Sequence, residues 1–127
     1  MYLLDTNMVL WTAVTPDRLS KRAAALVSSR DVQSSFSMAT LWEVAIKTSL
    51  DKPGFSVDST ALRNGLLDQG FNQVDIRPEH LAVVARLPWH HRDRFDRLLV
   101  AQAFVEGLTL LTSDRLLARY GKMVKCV

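Results

Sequence analysis

The chain has 127 residues, 48% of them apolar and 23% charged, which is typical of one folded domain and excludes a disordered protein. Its formal net charge is +3, and its single cysteine, Cys126, excludes a disulfide framework or a thiolate zinc site and favours a reducing, cytoplasmic compartment. We expect neither secretion nor membrane insertion, because no basic leader precedes the apolar start and no stretch approaches the roughly 18 apolar residues of a membrane span.

Short apolar runs alternate with longer helical patterns along the chain. Strands are predicted at residues 2–4, 32–36, 74–76, 108–112 and 123–127, and helices at 8–13, 18–29, 38–50, 59–69, 79–87 and 94–106. This alternation predicts βαβ units, and therefore an α/β fold with three α/β/α layers and a central, mostly parallel sheet of about four to five strands. No linker or repeat interrupts the pattern, so residues 1–127 are expected to form a single domain.

Four acidic residues stand beside apolar segments in this pattern. Asp5 follows the first strand and Asp114 follows the fourth, so both lie at the carboxyl edge of a parallel sheet, where open α/β folds form their ligand crevice. Glu43 lies in the helix after the second strand, and Asp96 lies in the first turn of the helix before the fourth. These positions allow all four acids to face one cleft, where their mutual repulsion would require a cation.

Three of the acids also have structural explanations. Asp5 and Asp114 suit N-caps of the helices that follow them. Asp96, like its neighbour Asp93, suits the positive end of a helix. However, the helix after Asp96 is apolar nearly all round and is therefore expected to be buried, and a carboxylate there needs partners.

Glu43 has two structural explanations of its own. Thr40 precedes it with the spacing of a capping box, and Lys47 follows it with the i,i+4 spacing of a helical ion pair. We expect the helix to begin near Ser37, which would place Thr40 inside the helix and weaken the capping-box interpretation.

Basic residues outnumber acidic residues outside the suspected site. Without the four site acids, 16 Lys and Arg face 9 remaining Asp and Glu, a difference of +7 that suits a polyanionic partner. Basic residues recur near the suspected site, and the candidates for phosphate contacts with RNA are Arg92, Arg94, Arg97 and Arg115. A solvated face on a mildly basic protein is the alternative interpretation.

Four sequence segments carry a resemblance to a known family: Asp5-Thr6-Asn7, Trp42-Glu43-Val44-Ala45, the run from His91 to Leu99, and Leu111-Thr112-Ser113-Asp114. In these segments the chain resembles PIN-domain ribonucleases, and most closely the VapC toxins of bacterial toxin–antitoxin pairs. The resemblance covers nearly the whole chain and includes the order of the motifs. One departure is Arg94, which stands where many relatives of this subgroup have proline.

The resemblance implies site residues, a cofactor and partners. The four acids are implied to line one pocket and hold Mg²⁺ or Mn²⁺, with Asn7 and Thr112 as polar neighbours and Asp93 as an additional acid. RNA is the implied substrate. A homodimer, a cognate VapB antitoxin that masks the pocket and higher-order toxin–antitoxin complexes are the implied assemblies.

The chemistry of the residues agrees with a hard divalent cation. Mg²⁺ prefers oxygen ligands, keeps several waters and activates water for attack on a phosphodiester. Asp5 and Asp96 are expected to be its principal ligands, Glu43 a ligand or water orienter, and Asp114 a ligand to a second metal or through water. Thr112 or Ser113 is expected to hydrogen-bond a ligated carboxylate or water.

Other side chains are given less weight. A loop or surface role is expected for His90 and His91, because adjacent residues on a helix point in different directions. Trp11, Trp42 and Trp89 are expected in the core or at an interface. A catalytically silent RNA-binding or antitoxin-binding module of the same fold remains the main alternative, because a fold alone does not establish activity.

Overall fold

The computed structural model describes all 127 residues, in which five strands alternate with six α-helices. The strands are β1 (Tyr2–Leu4), β2 (Ser34–Ser37), β3 (Asn72–Val74), β4 (Thr109–Thr112) and β5 (Val124–Cys126). The helices are α1 (Thr6–Ala13), α2 (Lys21–Ser28), α3 (Met38–Ser49), α4 (Ser59–Asp68), α5 (Pro78–Val84) and α6 (Arg94–Glu106). Two 3₁₀ helices, Pro16–Arg18 and Arg115–Tyr120, precede α2 and β5.

All strand pairs of the sheet are parallel, in the order β3-β2-β1-β4-β5. The chain first builds outward from β1 through β2 to β3, and then returns to add β4 and β5 on the other side of β1. The strand order therefore reverses between β1 and β4. In open parallel sheets this reversal opens a crevice beyond the carboxyl ends of the two strands, which is the usual ligand position.

Both faces of the sheet are covered by helices. Successive strand residues enter different cores: Leu4 and Leu111 pack with α1, α2 and α4, whereas Leu3 and Leu110 pack with α6. This alternation is what the two-residue period of a strand requires when both faces are buried. The expected three-layer α/β/α arrangement is thus observed.

The boundaries of α6 follow from its end residues. The Asp93 side chain accepts backbone N–H bonds from Phe95 and Asp96, and this cap begins the helix at Arg94. The helix ends at Gly107, whose φ of 67° lies in the left-handed region that favours glycine. The position of Asp96 in the first turn is therefore fixed locally by its neighbours.

Two strands are displaced from the prediction by two residues at one or both ends, whereas β4 and β5 lie within one residue of it. The second strand was predicted at residues 32–36 and lies at Ser34–Ser37, and the third was predicted at 74–76 and lies at Asn72–Val74. The apolar pattern misplaced β2 because its buried residues include three serines, among them Ser37, which caps α3 and donates to Gln102. The predicted helix at 18–29 begins only at Lys21, after the 3₁₀ helix.

No helix of the protein has the length and apolar character of a bilayer-crossing segment.

Candidate metal centre

Asp5 and Thr112 join the two central strands at the carboxyl edge of the sheet. Asp5 follows β1 and is 4% exposed, and its Oδ1 accepts the Met8 N–H at 2.8 Å as the N-cap of α1. Its Oδ2 accepts a hydrogen bond from Thr112 Oγ1 at 2.5 Å. The same Oγ1 accepts the Asp114 N–H at 3.0 Å, so one hydroxyl links the acids that follow β1 and β4.

The surroundings of Asp5 oppose its ionisation. The pKa of Asp5 is raised from 3.8 to about 6, mainly by burial and also by the charges of Asp114 and Glu43, against the lowering effect of the hydrogen bonds from Thr112 and Met8. Capping and membership of an acidic cluster are therefore both properties of this residue. A cation beside it would favour the charged form.

Glu43 lies on α3 and is 8% exposed. Its Oε1 accepts a hydrogen bond from Thr6 Oγ1 at 2.7 Å, and its Oε2 lies 2.9 Å from Lys47 Nζ, so the expected i,i+4 ion pair is present. The capping-box explanation is wrong, because Ser37 is the N-cap of α3 and Thr40 lies inside the helix, 3.2 Å from Thr6 Oγ1.

Asp96 has the least satisfied carboxylate of the four. No donor lies within hydrogen-bond distance of its carboxylate oxygens, and burial, followed by the charges of Asp93, Asp5 and Glu43, raises its pKa from 3.8 to about 7. The nearby His91 lowers the pKa but does not outweigh these effects. The charge of Asp5 therefore acts on Asp96 across the crevice, as expected if the acids converge.

A histidine completes the cluster. Asp114 caps the second 3₁₀ helix through Oδ1, which accepts the Leu116 N–H at 2.9 Å, and its Oδ2 lies 2.8 Å from His91 Nε2. His91 Nε2 also lies 3.6 Å from Asp96 Oδ2. Potential ligand atoms of His91, Asp96 and Asp114 lie within 4.8 Å of one another, an arrangement that can bind a cation.

His91 is the site residue that sequence reasoning missed. It lies on a loop, as expected, but its side chain is only 14% exposed and points into the acidic cluster rather than to the surface. The available signal was its position in the loop that leads into α6, five residues before Asp96.

The other predicted polar residues divide into buried and exposed sets. Thr112 is fully buried in the cluster, and Asp93 is the exposed N-cap of α6. Asn7 and Ser113 are exposed, one in the first turn of α1 and the other beside Asp114.

Arg97 differs from the other arginines that were candidates for RNA binding. Arg92, Arg94 and Arg115 are exposed, but Arg97 is 4% exposed. Its guanidinium donates hydrogen bonds to four oxygens, which are those of Val84, Leu87 and Pro88 carbonyls and the Tyr120 hydroxyl, at 2.9 to 3.3 Å. The expectation that Arg97 contacts RNA does not fit this burial, and its position is structural.

The three tryptophans differ in their exposure to solvent. Trp11 packs against the core formed with α1, as expected, whereas Trp42 is 53% exposed and Trp89 is 76% exposed. Trp42 contacts Phe95 edge to face with ring centroids 5.1 Å apart, and Trp89 lies over the Arg97 guanidinium at 3.8 Å.

A family model of the PIN domain matches residues 2–123 of this chain. The chain belongs to the PIN-domain family. Its sheet is therefore that of a PIN domain, and the fold expected from the resemblance is confirmed. None of the curated protein sequences matches the chain.

Solved structures with this PIN fold include toxin–antitoxin complexes. VapBC2 from Rickettsia felis, bound to a DNA fragment from its promoter, has a TM-score of 0.73 at 16% identity, covering 98% of this chain and 97% of the other. A toxin–antitoxin complex from Klebsiella pneumoniae has a TM-score of 0.66 at 17% identity, covering 98% and 96%. FitAcB from Neisseria gonorrhoeae has a TM-score of 0.62 at 20% identity, covering 92% and 90%. At these identities the likeness establishes the fold.

Proposed function

We propose that this PIN domain is a metal-dependent endoribonuclease, a VapC-type toxin that hydrolyses RNA phosphodiester bonds and is neutralised by a VapB-type antitoxin. The observation that carries the proposal is the convergence of Asp5, Glu43, Asp96 and Asp114 at the point where the strand order reverses, with a raised pKa at two of them. PIN domains are generally nucleases, which agrees with such a site.

The donor set fits Mg²⁺ or Mn²⁺. All four site acids offer carboxylate oxygens, which both ions accept, and the burial of Asp5 and partial burial of Asp96 create a local need for positive charge. Asp96 is the first proposed ligand because its oxygens accept no hydrogen bond, and Asp5 is the second. Asp114 would bind through a remaining lone pair, directly or through water.

Each remaining side chain has a proposed task in the reaction. A bound divalent cation would polarise a phosphoryl oxygen and lower the pKa of a bound water. Thr112 fixes the positions of the Asp5 carboxylate and the Asp114 backbone through its single hydroxyl. Glu43 is already engaged by Thr6 and Lys47, so we propose that it orients the attacking water rather than acting as a principal ligand.

The basic surface supports an RNA substrate. Arg92 and Arg94 flank the turn into α6, and Arg115 follows Asp114, so the three exposed arginines are close in sequence to the site acids. We propose that they contact RNA phosphates, which gives salt-sensitive affinity without reading the base sequence. The low net charge of +3 conceals this local surplus.

An apolar stripe on α3 supports protein partners. Met38, Trp42, Ile46 and Leu50 recur every four residues, and each is between 37% and 57% exposed. A VapB-type antitoxin or a second copy of this chain would bury this stripe, so homodimers and larger toxin–antitoxin complexes are part of the proposal. A cytoplasmic location is proposed as well, in keeping with the single cysteine.

The test of this function uses purified, antitoxin-free protein and total RNA. Incubation with Mg²⁺ or Mn²⁺ should yield discrete RNA fragments, and EDTA should abolish cleavage. A catalytically silent module would instead bind RNA equally with and without the metal and leave it intact, which would overturn the enzymatic assignment.

A further inference from the structure

The His91 imidazole lies between two carboxylates and is held at both nitrogens. Its Nδ1 accepts the backbone N–H of Asp93 at 3.0 Å, so this nitrogen carries a lone pair. The ring proton of the neutral imidazole must then lie on Nε2, which donates to Asp114 Oδ2 at 2.8 Å. For Nε2 to bind a metal, this proton would have to move to Nδ1, which already faces the Asp93 N–H, so His91 is set up as a donor to the acidic cluster.

Hydrogen bonds through Tyr120 hold the loop that carries His91 in place. The His91 N–H donates to the Tyr120 hydroxyl at 3.2 Å, and that hydroxyl donates to the Pro88 carbonyl at 2.8 Å. The buried Arg97 guanidinium donates to both the Tyr120 oxygen and the Pro88 carbonyl. His91 is therefore placed by a network that connects the loop, α6 and the end of the second 3₁₀ helix.

Asp114 depends on this histidine for one of its two side-chain anchors. Its Oδ1 is fixed by the Leu116 N–H and its Oδ2 by His91 Nε2. Without the imidazole, Oδ2 would lose its donor, and no N–H group would stand between Asp114 and Asp96. The carboxylate would then be free to rotate away from its neighbour of like charge.

We propose that His91 is a positioning residue of the cation site, which fixes the Asp114 carboxylate through Nε2–H without binding the cation itself. This inference rests on the proposed function, because it assumes that Asp114 takes part in cation binding. Hydrogen-bonded partners of ligating groups orient those groups, and their loss weakens metal binding even when every ligand remains. Arg97 and Tyr120 support the site through His91.

Direct Mn²⁺ binding, followed by electron paramagnetic resonance, tests the proposal without RNA. His91→Ala should weaken binding by about 10- to 100-fold, the usual cost of losing such a partner. His91→Gln keeps an N–H at a similar distance from the backbone and should stay close to the parent. Asp68→Asn changes an exposed residue at the end of α4 and serves as the control. Metal-free circular dichroism of each variant reports whether the fold is intact.

The outcomes separate this inference from the proposed function. Directly bonded nitrogen in the spin-echo modulation of bound Mn²⁺ would make His91 a ligand and overturn the positioning role. If the parent binds Mn²⁺ and cleaves RNA, unchanged or tighter Mn²⁺ binding by His91→Ala would overturn the inference and leave the proposed function intact. A parent that binds no divalent cation would overturn both.

Discussion

Replacing Asp96 with asparagine removes the carboxyl group with the most strongly raised pKa in the chain. Because the folded-state pKa of Asp96 is raised from 3.8 to about 7, the folded protein holds this proton more tightly than the unfolded chain does. The resulting stability is fully present below pH 3.8 and is lost as the pH rises from there to about 7. Asparagine has the same shape and no ionisation, so the variant should escape this loss.

The size of the effect follows from the pKa difference. A rise from 3.8 to about 7 corresponds to about 4 kcal/mol, at 1.4 kcal/mol for each pH unit. The Asp96 side chain is 22% exposed, and solvent screening there reduces the expected effect to roughly 2 to 4 kcal/mol. For a domain of this length, each kcal/mol changes the melting temperature by about 3 to 6 °C. Metal-free Asp96→Asn should therefore melt clearly above the parent at pH 8, and close to it at pH 4.

Thermal unfolding in EDTA, followed by circular dichroism between pH 4 and 8, measures this difference. The matched control is Asp68→Asn, an exposed residue at the end of α4, whose melting curve should follow the parent at every pH. An Asp96→Asn protein that is less stable than the parent at pH 8, or that has the same pH dependence, would refute the reasoning and make Asp96 a structural residue.

Four further predictions follow from the same contacts. Mg²⁺ at pH 8 should raise the melting temperature of the parent more than that of Asp5→Asn, and equal increases would argue against a shared site. Thr112→Val removes the hydroxyl that links two site acids and should weaken Mn²⁺ binding by about 10- to 100-fold, whereas unchanged binding would make that link unimportant. Arg97→Lys loses most of its bonds to buried carbonyls and should lower the free energy of unfolding by roughly 2 to 4 kcal/mol in urea titrations. Arg94→Lys, at an exposed position, should change the free energy of unfolding by less than about 0.5 kcal/mol. Equal losses of this free energy in the two variants would contradict the structural role of Arg97. Arg94→Ala and Arg115→Ala should each weaken RNA binding and lower the slope of log affinity against log salt by roughly 0.7 for a single strand, and an unchanged slope would exclude a phosphate contact.

Local sequence signals predicted the elements that carry clear end residues. The structure confirms β1 at Tyr2–Leu4 and α6 at Arg94–Glu106, the bounds predicted from the sequence, because an acid follows or caps each element and Gly107 ends α6. β2 was displaced because hydrophobicity does not mark buried serines. Ser37 pairs with Gln102, 65 residues away, and no local pattern contains that contact.

The acids could be predicted from their order and from the edge at which parallel strands end. Two of their partners, Thr112 and Lys47, could also be predicted, but His91 could not. Asp5 and Asp114 follow neighbouring central strands, and the sheet brings them to one hydroxyl of Thr112. His91 reaches Asp114 because long-range hydrogen bonds fix its loop, and its position five residues before Asp96 does not by itself indicate that contact. Arg97 was misassigned because arginines are mostly exposed, and only the fold shows the carbonyls that surround it.

Cleavage of RNA by the parent and by Asp96→Asn, compared at the same Mg²⁺ concentration, tests the central claim most directly. The parent should cut RNA in Mg²⁺ and not in EDTA, Asp68→Asn should cut like the parent, and Asp96→Asn should be folded and inactive under both conditions. Cleavage by Asp96→Asn at the parent rate, or cleavage by the parent in EDTA, would contradict an acidic metal centre as the source of the activity.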